Sequence, residues 1–393
     1  MNMKKLTMLC LILMVAGIAN AQPTAPLSNM LVATVPATHD RILIHDMTTD
    51  ETRTLTFPIV GELQLWDYSP DGCRLLFTVD STSNGMPKLY SARLDGSDIR
   101  AMVQYSELSD IEWGVWEPDW GANGQIAFTM YRMRQGDDGI EKQSHIAWID
   151  GVGGIPNFYS QTGREFTPTW SPNGQWLAYV SYDERVPGAD VYSTAVPTPQ
   201  GQTGEELPTI NEADMWVVSA DGATKYQLTR FDVGSVRSPR WSPDSALIGY
   251  IYSGSPFNDT FWMVANSAGS LNTRLSLKDN LTLDHTWFPD GSAMLASVRN
   301  LRDVQQNYLW IIPLIGNADD SANVYLNDPT FSYTDFPRFS SDGRYLAFRN
   351  EYRLVIYDTS MGTWKAYDEG ALGNTAPVWS PLGFMGEASC NAS

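Results

Sequence analysis

The sequence predicts an all-β fold, a seven-bladed β-propeller, and three observations predict it. A turn motif recurs at blade spacing, two short apolar runs follow each copy, and the two ends of the array are complementary parts of one blade.

The motif is an aromatic residue, then Ser-Pro, then Asp or Asn, then Gly. Its copies begin at Tyr68, Trp120, Trp170, Trp241, Trp287, Phe339 and Trp379, with spacings of 52, 50, 71, 46, 52 and 40 residues. That is the scale of a four-stranded blade. Ser69-Pro70-Asp71-Gly72 and Ser171-Pro172-Asn173-Gly174 carry it in full. Proline presets φ for a turn, Asp or Asn tolerates its centre, and Gly takes the left-handed position. Pro118, Pro168, Pro239, Pro337 and Pro377 stand two residues before the aromatic. A proline cannot donate to a ladder, so it belongs on an edge strand, here the innermost strand facing a central channel. The aromatic is then expected to pack between neighbouring blades.

After each turn come apolar runs such as Leu75–Val79 and Leu89–Arg93, or Leu247–Ile251 and Phe261–Ala265, rich in β-branched and aromatic residues. The array starts with three strands lacking an innermost one, Met30–Val35, Ile42–Asp46 and Arg53–Phe57. It ends with a lone innermost strand around Ala376–Ser380. Joined in one blade, these ends close the ring and leave no exposed edge.

The chain opens with Lys4 and Lys5, an apolar run from Leu6 to Ala16, and small residues at Ala19-Asn20-Ala21, the layout of a cleaved signal peptide. The expected division is 1–21 signal peptide, 22–29 short linker, 30–386 propeller and 387–393 C-terminal tail, in a periplasmic or secreted protein. The formal net charge is −19, and without the two signal lysines 24 basic residues face 45 acidic ones. Such a balance argues against nucleic acid, which needs a cationic footprint, and no second apolar stretch argues for membrane insertion. A monomer is the expected state.

These repeats resemble the TolB-like, WD40-related propeller repeats with a Pro-Asp-Gly core, and the resemblance covers nearly all of the chain after residue 30. It implies a propeller and often an exported location. It does not imply one activity, because related propellers serve as scaffolds, receptors, gates and enzymes.

Cys73 follows the first turn motif and Cys390 lies seven residues beyond Gly383 of the last, so the two fall in turns of adjacent blades on one face. An exported location permits a disulfide between them, and a loop spanning most of the chain contributes roughly 4–5 kcal/mol in the entropy model. Two free thiols are the alternative.

Catalytic signatures are missing: no Gly-x-Ser-x-Gly, no His-Glu-x-x-His, no phosphate-cradling loop. No cofactor and no metal are expected. His285 replaces the proline two residues before Trp287, a position resembling that of the metal-holding histidines in seven-bladed oligogalacturonate lyases. The matching positions in the next blades hold Pro337, Arg338 and Pro377, so further ligands are lacking. Arginine is more telling. Arg132, Arg299 and Arg349 end comparable strands, and Arg240 and Arg338 directly precede the motif aromatic. With His285 they form a candidate mouth for a carboxylate or phosphate, because planar guanidinium groups suit both. The competing reading pairs the arginines with Asp119, Asp183, Glu184, Asp284 and Asp335 as staples between blades.

The functional expectation is a non-enzymatic propeller that binds a protein partner or an anionic small ligand at this Arg-rich rim. A lyase or hydrolase acting on an acidic glycan, and a structural domain of an envelope assembly, are the alternatives. A proline-rich insertion over 183–213 and Trp113 and Trp116 could add to the same mouth.

Overall fold

The computed structural model describes residues 30–391 apart from 82–85, 106–110, 137–138, 161, 183–212, 232–233, 254–259, 267, 276–279, 301–306, 316–323, 327 and 369–374. The expected signal peptide and linker, and most of the 183–213 insertion, therefore lie outside the described residues. Every long element is a β-strand, and one short 3₁₀ helix spans Glu387–Asn391. Among the described residues no helix is long and apolar enough to cross a membrane.

The strands form an all-β propeller, but the expected seven blades are corrected to five. Hydrogen bonding gives five separate blade-sized sheets, four of four strands and one of three, and a sixth sheet of eight strands. The turn motif counts innermost strands, whereas sheets are defined by pairing. In the eight-stranded sheet, Ala213 pairs with Ser235 in a single parallel bridge, and Ala213 N–H donates to Gly234 O at 3.1 Å. This joins the strands behind the Trp170 motif to those behind Trp241. The three-stranded sheet is Asn280–Trp287, Ala293–Asn300 and Asn307–Pro313, and among the described residues isolated bridges from Trp310 to Val324 and from Asn307 to Tyr333 touch its outer strand.

The chain ends meet in one sheet. Val378–Trp379 pairs antiparallel with Leu31–Thr34, which pairs with Arg41–Asp46 and then Glu51–Thr56. Cys73 and Cys390 are joined as a disulfide with Cα atoms 5.4 Å apart. The innermost strands are Glu62–Tyr68, Ile111–Trp120, Glu165–Trp170, Ser235–Trp241, Asn280–Trp287, Thr334–Phe339 and Val378–Trp379. Each touches the next, and the last touches the first, so they surround a central channel.

The motif performs the same local work in the copies that begin at Tyr68, Trp170, Trp241 and Phe339. Gly72 N–H donates to Ser69 O at 2.7 Å, Ser69 Oγ donates to Asp71 Oδ1 at 2.5 Å, and Arg74 N–H returns to Ser69 Oγ at 2.9 Å. Gly72, Gly174, Gly291 and Gly343 take φ between 67° and 75°, the conformation glycine adopts without steric cost. The motif aromatic packs back on the preceding strands: Trp241 lies among Ala178, Val180 and Met215, and Trp287 among Ile251 and Val264. Indole N–H groups add polar latches, from Trp241 to Thr169 O at 3.0 Å, Trp287 to Arg240 O at 2.9 Å and Trp379 to Arg338 O at 2.9 Å.

The prolines do more than tolerate an edge. Glu117, Thr167, Ser238 and Phe336, each directly before a motif proline, hold φ between 50° and 52°. Pairing slips at those points, between Trp116 and Asp119, Phe166 and Thr169, Arg237 and Arg240, and Asp335 and Arg338. Each is a β-bulge, and a bulge re-aims the side chains beyond it. A non-glycine residue at positive φ costs about 1–3 kcal/mol, and such strain persists only where surrounding structure over-determines it.

Candidate functional site

The residues directly before the motif aromatic are Asp67, Asp119, Thr169, Arg240, Thr286, Arg338 and Val378, and five of them, Asp67, Asp119, Thr169, Arg240 and Arg338, lie just past a bulge. Their charges are segregated around the channel: two acids on consecutive inner strands, and two arginines opposite in the ring order.

On the cationic side Arg240 Nη2 lies 3.0 Å from Asp284 Oδ1, and Arg338 Nη1 lies 2.7 Å from Asp284 Oδ2. One carboxylate thus serves two guanidiniums. The arginines hold Asp284 well below the usual carboxylate range, overcoming the burial that opposes it. Burial and the neighbouring Arg240 push Arg338 down to about 10. The Arg240 Nε is buried without a hydrogen-bond partner among the described residues, although its side chain as a whole is 35% exposed. Arg349 makes a two-pronged contact with Asp335, Nε to Oδ1 at 2.7 Å and Nη2 to Oδ2 at 2.6 Å. Arg299 bonds Asn307 Oδ1 at 2.8 Å and is close enough to act electrostatically on Asp335, which in turn feels Asp284.

Arg240, Arg338, Arg299 and Arg349 therefore belong to one network. Arg132 stands apart: it donates to Tyr105 Oη at 3.3 Å and lies 5.5 Å from the Phe158 ring. His285, expected at the channel end of an innermost strand, is fully enclosed by protein. Burial, with Arg240 and Arg338 nearby, lowers it to about 3, so its imidazole is neutral. Two guanidiniums beside it oppose a cation there, and no group of three or more His, Cys, Asp or Glu side chains among the described residues is placed to hold a metal. The donor set does not fit the metal site that the lyase resemblance implied.

The acidic side was only partly read from the sequence. Asp67 Oδ2 accepts the Trp120 N–H at 3.1 Å, and Asp119 Oδ2 accepts the Trp170 N–H at 2.6 Å. Glu117 Oε2 accepts the Thr167 N–H at 3.0 Å. All three residues are half-buried. Burial raises each of them, Glu117 to about 7, and Asp119 raises Asp67 further. Arg240 pulls Asp119 back down, so the two charges sense one another across the ring, yet they form no direct ion pair. Asp67 and Asp119 occupy the position of Arg240 and Arg338 relative to the motif aromatic. That position is the signal by which all four could have been found together.

Trp113 and Trp116 are half-buried and packed. Lys88 Nζ lies 3.3 Å from the Trp113 ring centroid, and Trp116 meets Tyr131 edge-on, in a run continuing to Phe166 and Tyr182.

No protein-family model matches the chain. An uncharacterised protein of Agrobacterium fabrum (strain C58) is 28% identical over 121 residues, a match spanning 30% of this chain and 39% of that relative. Among solved structures, an oligogalacturonate lyase in complex with manganese is 13% identical with a TM-score of 0.53, covering 81% of this chain and 86% of that one. TolB from Acinetobacter baumannii is 14% identical with a TM-score of 0.47, covering 90% and 83%. At 13% identity the likeness to the lyase is one of fold alone.

Proposed function

We propose that this chain is an exported, non-enzymatic propeller that binds a carboxylate-bearing ligand in its central channel, with Arg240 and Arg338 as the contact residues. The observation that carries the reading is the sharing of Asp284 between two guanidiniums. One negative charge cannot neutralise two enclosed positive ones, and Arg338 is already pushed down by burial and by Arg240. A ligand carboxylate supplies the missing charge and meets Arg240 through the exposed part of its side chain. A bidentate guanidinium contact is short, strong and geometrically selective. Arg299 and Arg349 hold the support behind the site through Asn307 and Asp335 rather than reaching the ligand. The carboxylate belongs to a free small molecule or to an acidic side chain or chain end of a partner protein.

The test is a thermal-shift and calorimetric screen of purified protein against small carboxylates. A ligand at about 100 times its dissociation constant stabilises the fold by roughly 2.7 kcal/mol. Stabilisation by carboxylates that disappears in the Arg240→Ala/Arg338→Ala variant supports the reading. Unchanged binding in a folded double variant overturns it.

A further inference from the structure

We infer that residues 380–390 form a redox-sensitive strap across the ring closure. While Cys73 and Cys390 are joined, the strap locks the last inner strand in place. Reduction frees the strap and loosens that strand, leaving the rest of the propeller folded.

The other six inner strands run for 6 to 10 residues, whereas Val378–Trp379 has two. Among the described residues its ladder with Leu31–Thr34 consists of Val32 and Ala33 alone. What fixes so short a strand is the residue that follows it. Ser380 is fully enclosed, its N–H donates to Leu31 O at 2.9 Å, and its Oγ accepts the Leu31 N–H at 3.0 Å. Ser341 Oγ donates to Ser380 O at 2.7 Å, tying the preceding blade to the same point. Ser380 pins the closure, and it is also where the strap begins.

From there the strap crosses to the Ser69–Cys73 turn of the neighbouring blade, where its non-covalent hold is thin. Phe384 is buried in the core that includes Tyr68 and Phe77, and its ring fits against Gly72, where a Cβ would lie 2.5 Å away. Glu387 pairs with Arg53, but both side chains are more than a third exposed, and such a pair contributes little in solvent. Leu382 and Met385 are exposed. The Cys73–Cys390 bond supplies the remaining tie, and neither cysteine is enclosed, so a reductant reaches it. A dithiol supplies the two electrons. One of its thiolates attacks a cysteine sulfur and displaces the other as a thiolate. Its second thiol then resolves the mixed disulfide, leaving two cysteine thiols and an oxidised reductant. The cores around Trp120, Trp170, Trp241 and Trp287 contain no residue of the strap, so the opening stays local.

Hydrogen exchange read by mass spectrometry tests this on the purified protein, oxidised and then reduced with dithiothreitol. Peptides covering 30–35 and 380–390 are expected to exchange at least about tenfold faster after reduction, with peptides from Trp176–Tyr182 and Leu247–Ser253 unchanged. Reoxidation is expected to restore slow exchange. The Cys73→Ser/Cys390→Ser variant should show the reduced pattern with or without the dithiol. Unchanged exchange on reduction would mean that the ladder and Ser380 hold by themselves. Faster exchange in every blade would mean that the bond steadies the whole molecule. Either result overturns the inference, as does a serine variant that exchanges like the oxidised protein.

Discussion

Asp119 Oδ2 accepts the backbone N–H of Trp170 at 2.6 Å, so a side chain on one inner strand anchors the main chain of the next. Asp67 does the same for Trp120 at 3.1 Å. Replacing Asp119 with Ala leaves a buried N–H unsatisfied and is expected to destabilise the fold by about 1–3 kcal/mol. Asn keeps an acceptor oxygen in place and should cost less. Urea denaturation midpoints of the two variants check the order, which reverses if the bond is unimportant and the enclosed charge is the dominant penalty.

Asp284 is expected to be the most sensitive residue of the cationic half. Its removal strands two guanidiniums, and breaking a buried ion pair from one side costs about 3–5 kcal/mol. The lower end applies, because the Arg240 side chain is 35% exposed to solvent. Asp284→Ala should lower the melting temperature more than Arg240→Ala does. Added chloride or acetate should recover more stability in Asp284→Ala than in wild type.

Stability should fall as pH rises toward 7. Folding raises Glu117 from 4.5 to about 7, so over that interval the folded chain holds a proton that the unfolded chain releases. This contribution is complete below about pH 4.5 and is lost as pH rises through about 7. Asp67 and Asp119 shift in the same direction. On the acid side His145, lowered to about 4, works oppositely, losing stability as pH falls from 6.5 toward 4. A stability maximum in mildly acidic buffer is the expected result of equilibrium denaturation. Glu117→Gln should flatten the alkaline limb of that curve.

Reduction of the Cys73–Cys390 bond should lower stability. The two cysteines are 317 residues apart, and the chain-entropy model assigns a loop of that size about 6 kcal/mol. Intact mass after alkylation is expected to show two modified thiols only when reductant is present. Two modified thiols without reductant would mean that the native protein is unbridged.

The recurring turn made the propeller legible because Pro, Asp and Gly act locally, each through its own backbone preference. Sheet count was not legible, because the merging contact between Ala213 and Ser235 depends on how two strands lie in space. The arginines at 240 and 338 stood out for their place before the aromatic. Their convergence on Asp284 could not be read, since it joins residues 44 and 54 positions apart through a bulged backbone. The enclosure of His285 was not legible for a related reason: a sequence position gives the strand but not how deeply a ring is buried after the pairing slips between Thr282 and Asp284.

The pairing of Val32 with Trp379 has a consequence for how the molecule is made. Leu31–Thr34 is buried at every residue, yet its inner edge has no neighbour until a segment nearly 350 positions later arrives. Contacts of such sequence separation form late, because loop-closure entropy must be overcome first. Throughout synthesis the oldest strand of the propeller therefore waits as an open template for any passing β-segment. A nascent chain held short of residue 378 is the species in which chaperone capture and misassembly compete, and the arrival of two residues, Val378 and Trp379, ends that competition.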